Sequence, residues 1–144
     1  MITEDYIGFK ASQLLREKGF AEKCEKVWMH DGKLLWACNF MEGESFIDLS
    51  DIETQARYDG WNTYLQGQYA FLCPSLNVAL KWLILEHKIY IRADYIDFLE
   101  HGEVWDSTIV MMKTFEEIKV ENTESTREEA LEFALEYCLE NLIQ

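Results

Sequence analysis

Several signals of chemistry are absent from this sequence. It has one proline, and its four cysteines, at positions 24, 38, 73 and 138, include no Cys-x-x-Cys pair. Its three histidines form no His-x-x-x-His spacing, and no phosphate-binding, dinucleotide-binding or catalytic-serine motif occurs. These absences remove the enzyme classes that short motifs identify, and we expect no cofactor.

Long apolar runs are absent as well. No run approaches the roughly 18 apolar residues that a membrane span needs. The first six residues, Met-Ile-Thr-Glu-Asp-Tyr, have neither the basic nor the apolar region of a signal peptide. We therefore expect a cytoplasmic protein with reduced, mostly buried thiols and no membrane partner.

Basic residues are scarce. The chain has 13 lysines and arginines against 27 aspartates and glutamates, for a net charge of −14. This balance opposes direct binding to nucleic acid, which needs a positive footprint. A basic protein partner remains compatible with it.

What the sequence does have is material for a core, because 49% of its 144 residues are hydrophobic and 14% are aromatic. We predict a single α+β domain over residues 1–144. It has an antiparallel sheet of about four strands, formed by two hairpins, with about three helices packed mainly on one face. Residues 42–72 are predicted to be a long, partly irregular connection.

Local patterns predict the elements of this domain. Gly19 and Phe20 should close a first helix that begins at Phe9. Asp31-Gly32 predicts a two-residue hairpin turn that pairs Met29 with Leu34. The remaining predicted elements are a helix from Pro74 or Ser75 to His87, strands Ile89–Phe98 and Val104–Lys113, a short strand at Ile118–Val120, and a final helix capped by Thr126 and Glu129.

Aromatic side chains are the first candidates for an interaction surface. Tyrosine and tryptophan are favoured where proteins bind ligands or each other. They could instead anchor loops to the core, which is the more common role. A second copy of the chain, bound through the uncovered sheet face, is the leading interaction hypothesis. The candidates are Trp28, Tyr58, Trp61, Tyr64 and Tyr90.

Glutamates at a spacing of four form an acidic ridge on the last predicted helix: Glu128, Glu132, Glu136 and Glu140. Such a ridge is usually a solvated helix face. The functional alternative is an acidic decoy that occupies the basic groove of a nucleic-acid-binding protein.

An acidic tip is predicted around residues 94–106, where His101 stands among Asp94, Asp97, Glu100, Glu103 and Asp106. Carboxylates and a histidine could bind a hard cation or act as an acid–base pair. A small metal-dependent hydrolase is the hypothesis that follows. A solvated turn is the alternative.

Three segments carry a resemblance to a known group of proteins. They are Phe9–Phe20, Pro74–Leu83, with its Pro-Ser…Lys-Trp-Leu pattern, and Thr126–Leu131, with its Glu-Glu-Ala-Leu pattern. They resemble small uncharacterised proteins of gut bacterial genomes and their prophages. The resemblance implies an accessory role in a phage or mobile element, and it carries no activity.

Taken together, these sequence features favour a protein that is not an enzyme and that acts by contact with another protein. The acidic decoy and the hydrolase at residues 94–106 are the alternatives.

Overall fold

The computed structural model describes residues 4–20, 22, 24, 26–29, 34–36, 70–99 and 102–143. Their secondary structure is α+β, as predicted. The chain divides into an N-terminal unit, Tyr6–Ser75, and a C-terminal unit, Leu76–Gln144, which includes the described residues before Tyr6. The helices are α1 (Phe9–Glu17), α2 (Leu76–Trp82) and α3 (Arg127–Asn141), and the strands are β1 (Lys26–Met29), β2 (Leu34–Trp36), β3 (Ala70–Cys73), β4 (Ile89–Leu99), β5 (Gly102–Met111) and β6 (Glu116–Glu124).

The N-terminal unit begins with α1, which ends as predicted. Gly19 has a φ of +93°, and its N–H donates to the carbonyl of Arg16 while the N–H of Phe20 donates to that of Leu15. This is the Schellman arrangement, in which a left-handed glycine turns the chain out of the helix. Phe20 is buried beside Leu15 at the end of the helix.

Strand β1 lies at the centre of the first sheet, in the order β2-β1-β3. It pairs antiparallel with β2, with Trp28 opposite Leu34. The predicted register is therefore wrong by one residue. A two-residue turn at Asp31-Gly32 would pair Met29 with Leu34 and Trp28 with Leu35, whereas the observed partner of Trp28 is Leu34.

The end of the predicted irregular connection is a strand. Residues 70–73 form β3, which pairs antiparallel with β1. Its last residue, Cys73, is buried, and its thiol donates to the carbonyl of Ile7 at 3.2 Å. Several other predictions lie outside the described residues: the turn at Asp31-Gly32, Cys38, the irregular connection over residues 42–69, and with it Tyr58, Trp61 and Tyr64.

In the C-terminal unit, α2 starts at Leu76, whose N–H donates to the carbonyl of Asp5 at 2.8 Å. The helix widens into a π-helical turn over Leu83–His87. In a π turn, residues five apart are aligned, and the rings of Trp82 and His87 contact edge-to-face at 4.9 Å. Lys88, with a φ of 56°, then directs the chain into β4. The predicted helix to His87 is confirmed, but its last turn is π-helical.

The second sheet has the order β4-β5-β6 and consists of two antiparallel hairpins. Strand β4 carries a bulge between Tyr95 and Asp97. Strand β6 is longer than the three residues predicted, because it extends over Glu116–Glu124. Helix α3 packs against all three strands.

Helix α3 begins as its capping pattern predicts. The Thr126 hydroxyl accepts from the N–H of Glu129 at 3.1 Å and lies 3.0 Å from its carboxylate, to which it donates. The buried stripe contains Ala130, Leu131, Ala134, Leu135, Cys138 and Leu139. Burial raises the pKa of Cys138 to about 12, so its thiol stays neutral.

The sheet prediction differs from the structure in one respect. In place of one sheet of about four strands, the described residues form two sheets of three strands each. Strand β1, predicted as half of a hairpin, is a central strand because β3 pairs with its other edge. The partner of a strand across more than forty residues is set by tertiary packing, which local patterns do not encode. The single-domain organisation stays a prediction.

Candidate functional site

The second sheet has one face toward α3 and one directed away from it. Side chains alternate along a strand, and Ile89 and Ile91 of β4 are buried while Tyr90 between them is 45% exposed. We call the side that carries Tyr90 the outward face. It comprises Tyr90, Arg92, Asp94, Asp106, Thr108, Val110, Met112, Glu117 and Lys119.

A hydrogen-bonded charge network occupies the middle of the outward face, with Asp94 at its centre. One oxygen of Asp94 accepts from Nε of Arg92 at 2.9 Å. The other accepts from the Thr108 hydroxyl at 2.6 Å and from Nζ of Lys119 at 3.0 Å. Because Asp94, Thr108 and Lys119 belong to β4, β5 and β6, the network ties the three strands together.

The electrostatics of Asp94 follow from these partners. Partial burial acts to raise the pKa of Asp94, but the hydrogen bonds from Thr108, Lys119 and Arg92 outweigh it and lower the pKa to about 2. The carboxylate is therefore ionised throughout the physiological range. A group with so low a pKa is a poor general acid or base near neutral pH.

Two further carboxylates complete the network. Lys119 also donates to Asp106, at 2.6 Å, and Nη1 of Arg92 lies 3.4 Å from Glu117. Hydrogen bonds to Asp106 and Asp94 raise the pKa of Lys119. The two cations are thus shared among three carboxylates, which suits a structural cross-link of the sheet surface.

Most of the predicted acidic tip, residues 94–106, lies within the described residues, so its carboxylates can be compared with this network. Asp94 and Asp106 bind the same lysine instead of meeting at a cation site. Glu103 accepts from the indole N–H of Trp105 at 3.1 Å. Among the described residues no group of three His, Cys, Asp or Glu side chains could hold a metal ion. Glu100 and His101 lie outside the described residues, so the hydrolase stays a prediction.

Apolar side chains occupy one end of the outward face. Tyr90 pairs across the sheet with Val110, and Met112, which follows β5, is 41% exposed. The β5–β6 turn lies at the same end, and it contains Phe115, which is 84% exposed. We call Tyr90, Val110, Met112 and Phe115 the apolar end.

Phe115 also has an unusual backbone conformation. Its φ of 61° is in the left-handed region, which a bulky residue other than glycine rarely adopts. The turn holds this conformation through its N–H, which donates to the carbonyl of Met111 at 2.8 Å. A large apolar side chain is therefore presented to solvent at a position where the backbone favours glycine.

The predicted aromatic candidates have different surroundings. Tyr90 lies at the apolar end. Trp28 is half-buried in the N-terminal unit, where its indole N–H donates to the carbonyl of Ile7 at 3.0 Å and its ring contacts Phe9 edge-to-face at 6.2 Å. These two contacts tie the Trp28 side chain to the segment that leads into α1. Tyr58, Trp61 and Tyr64 lie outside the described residues.

The acidic ridge lies on α3 as predicted. Glu128, Glu132 and Glu136 are partly exposed and Glu140 is exposed, so the ridge runs along the margin of the buried stripe of the helix. The Glu128 carboxylate lies 3.6 Å from the guanidinium of the adjacent Arg127. The arrangement suits either a solvated face or a contact with a basic partner.

Sequence patterns missed Phe115 and Met112. Phe115 stands between Thr114 and two glutamates, in a polar stretch between the predicted strands Val104–Lys113 and Ile118–Val120. The only local signal is a lone large apolar residue in a predicted turn, and such residues often fold back onto the core. Its exposure and its φ angle become apparent only in three dimensions.

Comparison with protein-family models, with curated proteins and with solved structures finds no match for this chain.

Within the described part of the chain, no helix is both long and apolar enough to cross a membrane.

Proposed function

We propose that this chain is a non-enzymatic protein-interaction protein whose contact surface is the apolar end of the outward face. The observation that carries the proposal is Phe115, which combines 84% exposure with a left-handed backbone. Each feature costs free energy in the isolated chain. Backbone outliers of this kind concentrate at binding sites, where the strain is part of the function.

The chemistry around Phe115 defines the partner. Aromatic anchors that fill a pocket dominate the energy of protein interfaces. Glu116 and Glu117, both exposed, follow the anchor directly, and the whole chain has a net charge of −14. The partner we propose is a protein with an apolar pocket rimmed by lysine or arginine. A phage or mobile-element accessory role in the cytoplasm is part of this proposal, and it rests on the sequence resemblance.

The test is affinity capture from a bacterial lysate with three matched baits: the parent chain, Phe115→Gly and Phe133→Ala. Phe133 is 37% exposed and lies on α3, which packs against the other face of the second sheet. We expect a basic protein to be retained by the parent and by Phe133→Ala, and to be lost with Phe115→Gly. Equal recovery on all three baits would refute the proposal.

Salt dependence of the capture separates the anchor from the charged rim. Added salt should reduce recovery on the parent bait, because exposed charges beyond about 8 Å are screened at physiological ionic strength. It should not restore any binding to Phe115→Gly. Binding that is strongest at high salt would instead indicate a purely apolar contact.

The acidic decoy remains a second candidate, and the ridge on α3 supports it. A decoy would present Glu132 and Glu136 to the basic groove of a nucleic-acid-binding protein. Reversal of both charges should then abolish capture, whereas Phe115→Gly should leave it intact. The two proposals therefore make opposite predictions for the same pair of baits.

A further inference from the structure

Strand β4 forms an edge of the second sheet and spans Ile89–Leu99. Its pairing with β5 determines which backbone groups point away from the sheet. The N–H of Met112 donates to the carbonyl of Lys88, in register with the pair Ile89–Met111. In an antiparallel ladder such hydrogen-bonded pairs alternate. Even-numbered residues of β4 up to the bulge thus bond to β5, and odd-numbered residues direct N–H and C=O to the free edge.

No strand pairs with this edge within the described part of the chain. An edge of this length is a template for pairing with another chain. Three large apolar side chains along it are exposed to solvent: Tyr90, Tyr95 at 54% and Ile96 at 48%. Soluble proteins usually protect long edges with short strands, charges or a covering segment, so large apolar side chains exposed along an edge favour pairing with another chain.

The sequence of β4 is complementary to itself when two copies run antiparallel about Ala93. In that register Arg92 of one copy lies opposite Asp94 of the other, and this charge pair occurs twice. Ile91 lies opposite Tyr95. Because Ile91, Ala93 and Tyr95 are the residues whose backbone groups face the free edge, the register also satisfies the ladder hydrogen bonds.

The neighbouring registers are unfavourable. Two of them keep the ladder hydrogen bonds and shift the two-fold axis by one residue. An axis at Arg92 places Arg92 opposite Arg92, and an axis at Asp94 places Asp94 opposite Asp94. Like charges directly opposite each other destabilise a strand pair. Other registers pair odd-numbered residues of one copy with even-numbered residues of the other. In those registers, backbone groups that already bond to β5 would lie opposite the free edge of the second copy. The charge pattern therefore selects the register about Ala93.

We propose that β4 is a self-association edge, where two copies of this chain pair antiparallel about Ala93 to form a continuous six-stranded sheet. The bulge after Tyr95 ends the paired segment, so the contact covers only Ile91–Tyr95. A contact this short predicts a weak, reversible dimer. The proposal does not depend on Phe115 or on any other partner.

Disulfide trapping of the purified full chain tests the register. In the proposed dimer the two Ala93 Cα atoms are about 5.5 Å apart, within the range that a disulfide bridges. Two Tyr95 residues are four positions out of register, or roughly 13 Å apart. Mild oxidation should convert Ala93→Cys to a covalent dimer and leave Tyr95→Cys monomeric.

Tyr95→Cys is a stringent control, because Tyr95 is more exposed than Ala93 and random collision would favour it. Equal cross-linking of the two variants would overturn the proposal. The parent chain, oxidised in parallel, measures the covalent dimer that its own cysteines form. Of these, Cys24, Cys73 and Cys138 are buried.

A charge swap tests the same pairing without cysteines. In sedimentation velocity, the weight-average sedimentation coefficient of the parent should rise with protein concentration. Arg92→Asp should weaken this self-association by about tenfold or more, because it sets two carboxylates opposite each other twice. The double variant Arg92→Asp with Asp94→Arg should restore it. A parent that stays monomeric at all concentrations, or a double variant no better than the single one, would refute the proposal.

Discussion

At the scale of single residues, the two non-glycine residues that have left-handed backbones among the described residues differ in what surrounds them. Lys88 has a φ of 56° at the end of a helix, where its ammonium group donates to the carbonyl of Leu85 at 3.0 Å. A cation beside free helix carbonyls is a common way to end a helix. Phe115 has no such role, because its side chain is directed into solvent in a hairpin turn. This contrast is the reason to assign a binding role to Phe115.

The strain at Phe115 predicts a difference in stability between two substitutions that remove its ring. Phe115→Ala and Phe115→Gly remove the same exposed ring, but only glycine adopts the left-handed conformation without strain. We expect the glycine variant to be more stable than the alanine variant by about 1 kcal/mol. Urea denaturation of both variants measures the difference. An alanine variant of equal or greater stability would show that the turn adopts another conformation.

The Thr126 cap predicts a loss of similar size. Thr126→Ala removes the hydroxyl that accepts from the N–H of Glu129, so the free energy of unfolding should fall by about 1 kcal/mol. Ser125→Ala, which removes a hydroxyl one position earlier in the chain, serves as the control and should change stability by much less. Equal effects from both substitutions would contradict the assignment of Thr126 as the cap.

At the scale of elements, the sequence predicted what local signals specify. The predicted Gly19 closure of α1, the Thr126 cap and the strand that begins at Ile89 all agree with the structure, because each depends on residues within a few positions. Strand β6 was predicted too short, since glutamates dominate its exposed ends and only Ile118 and Val120 provide alternation. The charge network was not predicted, because Asp94 and Lys119 meet only through strand pairing.

The charge network predicts a pH dependence for the second sheet. Asp94 has a folded pKa of about 2 against an ordinary value of 3.8. Its contribution to stability is therefore complete above about pH 4 and is lost as the pH falls toward 2, since the unfolded chain takes up the proton first. We expect the stability difference between the parent and Asp94→Asn to be constant near neutral pH and to shrink over this acidic range.

Chemical denaturation at several pH values measures this difference. Glu121→Gln, on the exposed edge strand β6, is the matched control for loss of one carboxylate. A parent–Asp94→Asn difference that is the same at pH 2 and pH 6 would show that the carboxylate is not held by Lys119, Arg92 and Thr108 in solution.

At the scale of the whole molecule, charge imbalance is the dominant feature. With 27 acidic and 13 basic residues, carboxylates outnumber the cations that could pair with them, even where Arg92 and Lys119 each bind two. The excess repels itself in the compact state more than in the expanded one. The same excess would attract the basic partner that we propose, so a surface suited to such binding also lowers the stability of the free chain.

This imbalance predicts that salt stabilises the protein. At neutral pH, sodium chloride should raise the midpoint of thermal unfolding, because screening weakens the repulsion among carboxylates over distances of about 10 Å at 0.1 M. The ion pairs of the outward face act in the opposite direction, but exposed pairs contribute only about 0–1 kcal/mol each. Near pH 4.5, the isoelectric point of the sequence, the net repulsion vanishes and the salt effect should vanish or reverse. Salt stabilisation of equal size at both pH values would mean that an effect other than net charge, such as ion binding at one site, is responsible.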